Sequence, residues 1–323
     1  MSKRFFAITT AAAMALVLAV GGYYFFSRPA GQHKLISNPF NQATHSATGF
    51  GTDAARVDSQ ITLKIPDGQG PAVYDYLRQT YVDSDAKLKS TFPDKKLSGE
   101  KRVDISVFTD GYFDTPNLDL YVNNNSARHR SRTNTTDPAD RKNGRELVQV
   151  QVTAPGQFER RTELKFDTQT PRPSAKLRDD FHPLIGLVTK VQQADFKKAF
   201  SDLGLDPYKL RYILTNTQKR SRVYLDLDGT NILSFSVDEG SSRMLWAKAH
   251  ITSVDVGLVE NVYTDANSAD RQKLAEIRAF VLKDLMDQFP ELTVNLEEKY
   301  GLLLDQLIPQ VPFFVILLRF GII

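Results

Sequence analysis

Polar and apolar positions alternate with a period of two in several stretches between residues 59 and 258, which predicts strands with one wet and one dry face. Gln60, Thr62 and Lys64 alternate with Ile61, Leu63 and Ile65; Arg128, Arg130 and Arg132 with Ala127, His129 and Ser131; Gln149 and Gln151 with Val148, Val150 and Val152. Arg161, Glu163 and Lys165 oppose Thr162, Leu164 and Phe166, and Arg220, Arg222, Tyr224, Asp226 and Asp228 oppose Ser221, Val223, Leu225 and Leu227. The turn Asp228-Gly229-Thr230-Asn231 leads into Ser234, Ser236 and Asp238 against Leu233, Phe235 and Val237, a hairpin signal. A last strand sets Ser253, Asp255 and Gly257 against Val254, Val256 and Leu258.

Helical spacing is rarer. Pro71 suits a first helical turn, and Val73, Leu77 and Tyr81 follow at four-residue intervals. A helical pair is expected between Ala175 and Phe200. The clearest helix runs from about Ser268 to Phe289, with Leu274, Ile277, Val281 and Leu285 as its stripe, Asn267 as its cap and Pro290 as its stop. Strands outnumber helices, so the fold class is α+β with a mostly antiparallel sheet.

The N-terminus follows a third pattern. Phe5 to Phe26 carry no charge over 22 positions, and a helix of that length is roughly 33 Å, enough for the ~30 Å hydrocarbon core. The Tyr23-Tyr24-Phe25-Phe26 cluster favours an uncleaved anchor over a signal peptide cut near Ala19-Val20-Gly21. Lys3 and Arg4 place the N-terminus inside and the main domain outside the cytoplasm. The chain therefore divides into an anchor at 1–27, a Gly/Ser/Thr/Asn-rich tether at 28–57, a single domain at 58–305, and an apolar stretch at 306–323 that is too short to span a bilayer.

Forty-one Lys+Arg against 38 Asp+Glu give a net charge of +3, too balanced for wholesale wrapping of nucleic acid, so none is expected as a partner. With no cysteine there are no disulfides or thiolate sites. The five histidines lack zinc-like spacing, and P-loop, dinucleotide-binding and nucleophile-elbow motifs are absent. Asn124-Asn125-Ser126 and Asn134-Thr135-Thr136 match the glycosylation acceptor pattern. Chemistry is thus left to the polar strand faces, which collect Lys64, Arg128, Arg130, Arg132, Arg161, Lys165, Arg220 and Arg222 with a smaller acidic set. An open sheet would leave these charges in water, where each pair contributes about 0–1 kcal/mol; a closed one would line a cavity with arginines that need an anion among them. Periodicity does not separate the two.

Tyr112-Phe113-Asp114-Thr115-Pro116, followed by Arg128-His129-Arg130, resembles the YFDTP…RxR signature of the CYTH superfamily, the triphosphate tunnel metalloenzymes. Arg161-Thr162-Glu163, Arg220-Ser221-Arg222, Val237-Asp238 and Glu298-Lys299-Tyr300 are similar to later family elements in the same order. The resemblance implies a tunnel of about eight antiparallel strands with flanking helices that holds a triphosphate or polyphosphate. Lys64, Arg128, Arg130, Arg161, Arg220, Arg222 and Lys299 would bind phosphates, and Glu163, Asp238 and Asp255 would ligate Mg²⁺ or Mn²⁺ for metal-assisted phosphoryl chemistry.

This chain departs from the family pattern at several acids. The ExExK strand reads Gln60-Ile61-Thr62-Leu63-Lys64, Gln149-Val150-Gln151 stands where a phosphate-binding lysine is expected, and Asp255-Val256-Gly257 replaces the C-terminal ExE. Two further readings follow: kinship with the related polyphosphate polymerases, to whose SKY element Lys299-Tyr300 is similar, or a tunnel that binds phosphates or a protein partner without catalysis.

Overall fold

In the computed structural model the described residues are 55–57, 60–139, 144–154, 157–169 and 184–322. The chain divides into two units, 1–41 and 42–323, and everything described here belongs to the second.

One antiparallel sheet carries eleven strands. These are β1 (Ala55–Val57), β2 (Gln60–Lys64), β3 (Leu97–Gly99), β4 (Asp104–Asp114), β5 (Ser126–Asn134), β6 (Glu146–Ala154), β7 (Gln157–Asp167), β8 (Arg211–Leu227), β9 (Thr230–Met244), β10 (Ala247–Leu258) and β11 (Thr293–Asn295). Their order in space is β1-β7-β6-β5-β4-β8-β9-β10-β2-β11, with β3 a further partner of β8. The sheet exceeds the expected eight because β1, β3 and β11, each of 3 residues, extend a set of longer strands. The turn between β8 and β9 has Asp228 at φ 51° and Gly229 at φ 79°, the doubly left-handed geometry that matches strand twist in a tight hairpin.

The helices are α1 (Gly70–Arg78), prolonged by a π-helical turn at Gln79–Asp83, α2 (Ala86–Thr91), α3 (Asp119–Val122), α4 (Gln193–Asp202), α5 (Glu260–Asp265), α6 (Ser268–Gln288), α7 (Lys299–Leu307) and α8 (Phe314–Arg319). As its sequence predicts, α6 begins at an Asn267 side chain that accepts from the Asp270 N–H at 3.0 Å. Of the helical pair expected between 175 and 200, α4 is present and residues 170–183 lie outside the described ones.

Three apolar clusters hold the sheet to its helices. Leu63, Val223, Phe235 and Val256 pack with Val73 and Leu77 of α1 and Ile277, Val281 and Leu285 of α6. Val148, Val150, Leu164 and Phe166 pack with Phe196, Ala199 and Phe200 of α4. In the third cluster Leu214, Met244, Ala249 and Ile251 pack with Leu303, Leu304 and Leu307 of α7 and with Phe314 and Leu318 of α8. Ile251 and Ala249 point to the same side of β10 as Ser253 and Asp255, so this face is polar along one half and apolar along the other. The apolar half is covered by α7, α8 and Val311, which gives the stretch at 306–323 its place: it packs the inner face of the sheet.

Residues 1–54, with the predicted anchor and most of the tether, lie outside the described ones. Among the described residues no helix is long and apolar enough to cross a membrane.

Candidate functional site

Strand register places the charged residues in rows. Across β4 and β8, Asp104 stands opposite Arg222, Ser106 opposite Arg220, Phe108 opposite Gln218 and Asp110 opposite Asn216. Across β4 and β5, Phe108 faces Arg132, Asp110 faces Arg130 and Tyr112 faces Arg128. The sheet curls about this face and encloses a cavity of about 290 Å³ whose lining includes Arg128, Arg130, Arg132, Arg220, Arg222 and Lys299, with Gln149, Glu163, Lys165, Ser236 and Asp255.

The Phe108 ring sits in the middle, 5% exposed. Around its centroid stand the guanidiniums of Arg130 at 4.5 Å, Arg220 at 5.3 Å, and Arg132 and Arg222 at 5.9 Å. Such contacts contribute roughly 0.5–2 kcal/mol each and let like charges converge on an apolar wall.

Each inner guanidinium meets a carboxylate, and two of the carboxylates are shared. Arg130 forks onto Asp110 with two bonds of 2.6 Å, and Arg128 reaches Asp110 at 3.8 Å and Glu163 at 3.5 Å. Arg220 forks onto Asp238 at 2.6 and 2.5 Å, while Arg222 and Arg132 share Asp104 at 3.3 and 3.8 Å. Burial alone would raise the Asp110 and Asp238 carboxyls, but Arg130 and Arg128 hold the first, and Arg220 and Lys299 the second, below the usual carboxylate range. Arg222 is lowered as well, first by its burial and then by the adjacent Arg220, which for a guanidinium disfavours the charged form.

The YFDTP segment serves as a brace. Asp114 Oδ1 accepts from the Thr115 and Leu120 N–H groups at 2.7 and 2.9 Å, and Oδ2 from the Tyr121 N–H and Tyr300 hydroxyl at 3.0 and 3.1 Å. Tyr112 stacks on Tyr300 at 5.0 Å between centroids and takes a bond from Arg128 at 3.2 Å. The motif thereby fixes the end of β4, the start of α7 and one cavity arginine together.

Of the residues picked out from sequence, Arg128, Arg130, Arg220, Arg222, Lys299, Glu163 and Asp255 line the cavity, and Asp238 is buried beneath Arg220 and Lys299. Lys64 is exposed and does not line it. Arg161 keeps a register position opposite Thr153, and its side chain lies outside the described ones. Sequence reasoning passed over Asp104, Phe108 and Asp110. Their signal is the alternation Asp104, Ser106, Phe108, Asp110, Tyr112, hidden because aromatic Phe108 and Tyr112 stand on the charged face while Thr109 and Gly111 interrupt the apolar one.

Mg²⁺ or Mn²⁺, which the sequence resemblance implies, does not fit the donors present. Glu163 takes bonds from Gln149 at 3.0 Å and Arg128 at 3.5 Å and pairs with Lys165 at 3.2 Å, apart from the Asp238–Asp255 pair. Those two aspartates are engaged by Arg220 and Lys299. Among the described residues no three carboxylates or histidines gather as a ligand set.

Several solved structures are similar to this domain at low identity. A candidate adenylate cyclase from Bacillus halodurans is 13% identical over 76% of this chain and 96% of its own, with a TM-score of 0.42. A protein from Pyrococcus horikoshii is 11% identical over 77% and 98%, with a TM-score of 0.41. A candidate adenylyl cyclase from Hippeastrum, described as having a dominant triphosphatase activity, is 10% identical over 75% and 92%, with a TM-score of 0.39. No protein-family model matches the chain, and no curated protein does. The signature Tyr112 to Pro116 ends a strand of a curled antiparallel sheet, and Arg128 and Arg130 of the same signature face into its cavity. In these two respects the domain resembles the CYTH pattern. Of the departures from that pattern, the one at Thr62 has a visible partner: its hydroxyl donates to Asp255 Oδ1 at 2.8 Å, where the pattern has an acid.

Proposed function

We propose that this tunnel binds a short phosphate chain of the tripolyphosphate type, and that residues 5–26 tether it to a membrane with the domain outside the cytoplasm. The observation that carries the binding is the convergence of Arg128, Arg130, Arg132, Arg220 and Arg222, from two strands that flank β4, on one cavity around Phe108. Planar guanidinium forks match phosphate oxygens in pairs. An entering phosphate chain would trade places with carboxylates already present, so part of its attraction offsets the loss of internal ion pairs. With α7 and α8 covering one half of the inner face, the ligand enters from the other half, which favours a short chain over a threaded polymer.

Metal-assisted hydrolysis, the other activity the resemblance implies, would need a donor set that Arg220, Lys299, Arg128 and Lys165 already engage; recognition is therefore the reading the geometry supports best. Calorimetry on the full chain in detergent checks it. Tripolyphosphate should bind, and Arg128→Ala with Arg130→Ala should weaken binding at least tenfold. Equal affinity in the double variant, or no binding to the parent, would sink the reading, and phosphate release measured alongside separates recognition from turnover.

A further inference from the structure

Asp238 and Asp255 lie on neighbouring strands and form the nearest thing in the tunnel to a cation site. Their oxygens are engaged. Asp238 Oδ1 accepts from Arg220 Nε at 2.6 Å, and its Oδ2 accepts from Arg220 and from the Lys299 ammonium. Asp255 Oδ1 accepts from Thr62 at 2.8 Å, and its Oδ2 accepts from Arg220 at 3.2 Å and Lys299 Nζ at 3.1 Å. Two carboxylates and two fixed cations thus make a closed, neutral square.

Lys299 is delivered there rigidly. It opens α7, whose next residue, Tyr300, is fully buried, stacked on Tyr112 and bonded to Asp114. The preceding loop is clamped from the other side, because Asn124 accepts from the Glu298 N–H at 2.9 Å and donates to the Leu296 carbonyl at 3.0 Å. Asn124 holds this position at φ 53°, a left-handed conformation that asparagine tolerates better than most residues. The Lys299 side chain is 13% exposed, Asp255 3% and Asp238 0%.

We infer that Lys299 is the resident cation of the Asp238–Asp255 pair, standing where a divalent metal would otherwise sit, so that the tunnel takes its anion without a metal of its own and hides a latent divalent-cation site beneath one lysine. A Mg²⁺- or Mn²⁺-sized ion entering the parent protein would meet an ammonium and a guanidinium already on its ligand oxygens, and hard cations need those oxygens free. Removing the lysine charge takes one of the two cations off Oδ2 of each carboxylate, leaves Arg220 as the other, and gives the group a net negative charge on the cavity side. Since Lys299 also lines the cavity, it faces the incoming anion from the position a bridging metal would occupy.

The test is Mn²⁺ alone, titrated into the chelator-stripped full chain and followed by the electron paramagnetic resonance of the free ion. The parent should bind no Mn²⁺ below about 1 mM, Lys299→Arg should behave as the parent, and Lys299→Gln should bind one Mn²⁺ at least tenfold more tightly, a gain that Asp255→Asn in the same chain abolishes. Mn²⁺ held by the parent and lost on Asp255→Asn would overturn the inference, as would Lys299→Gln that folds, by its melting profile, without gaining affinity. Should Lys299→Gln fail to fold, the parent decides: binding through Asp255 overturns the inference, and its absence together with tripolyphosphate affinity unchanged within threefold by chelator supports it. That last arm rests on the proposed phosphate binding; a parent that binds no tripolyphosphate with or without metal defeats that reading and leaves the Mn²⁺ outcome to stand by itself.

Discussion

Asp114 combines burial with four donated hydrogen bonds, and burial prevails: its carboxyl is pushed up to about 6 from 3.8. The folded state therefore holds this proton more tightly than the unfolded chain does. Stability from the protonated group is fully present below about pH 4 and is lost as pH rises through 6, at a cost on the order of 3 kcal/mol over that window. Asp104, Asp110 and Asp238 have the opposite sign. Their lowered values add stability that is present above pH 3.8 and fades as the solution becomes more acidic. Comparing melting temperatures of the parent and Asp114→Asn from pH 4 to 7 isolates the first effect. The gap should shift in favour of the variant as pH rises through 6, and a constant gap would show that Asp114 keeps an ordinary carboxyl.

Among the elements, those whose two faces differ in polarity were legible from the chain. Strands β2 and β5 to β10 betray themselves by alternation, and α6 by its stripe, its Asn267 cap and Pro290. Strand β4 stayed hidden because Phe108 and Tyr112 stand on its charged face and Thr109 and Gly111 on the other, which breaks the alternation. Its concealment also hid part of the site: the cations on β5 and β8 could be read in advance, whereas Asp104 and Asp110, which partner Arg128, Arg130, Arg132 and Arg222, come from the strand between. Chain positions do not disclose that Lys299 reaches Asp238 and Asp255, since that meeting depends on how α7 docks. For α6 the packing argument is quantitative. Ile277 is fully buried between the helix and the back of the sheet, so Ile277→Ala should cost about 2–5 kcal/mol in denaturant unfolding, with the spread set by how far α6 can settle into the gap. A loss under ~1 kcal/mol would mean that α6 is only loosely seated.

At the scale of the whole molecule, charge bookkeeping inside the tunnel is nearly closed before any ligand arrives, which makes specificity a matter of exchanging partners more than of attraction from afar. The pairing order of the sheet carries a different consequence. Strand β2 lies between β10 and β11, with Thr62 opposite Asp255 on one side and Asn295 on the other, so one of the first strands made has no partner until most of the chain exists. During synthesis the segment around Ile61 and Leu63 must wait, its backbone groups served by water, while β4 to β9 pair among themselves; closing so long a loop is slow. A fragment ending at Leu245, just short of β10, should accordingly leave the β2 segment open to limited proteolysis, whereas the full chain protects it; equal protection in both would show that another strand serves β2 in the interim. The wall of the tunnel that carries Asp255 is thus the last to be raised, and any premature release of the growing chain strands its oldest strand without a neighbour.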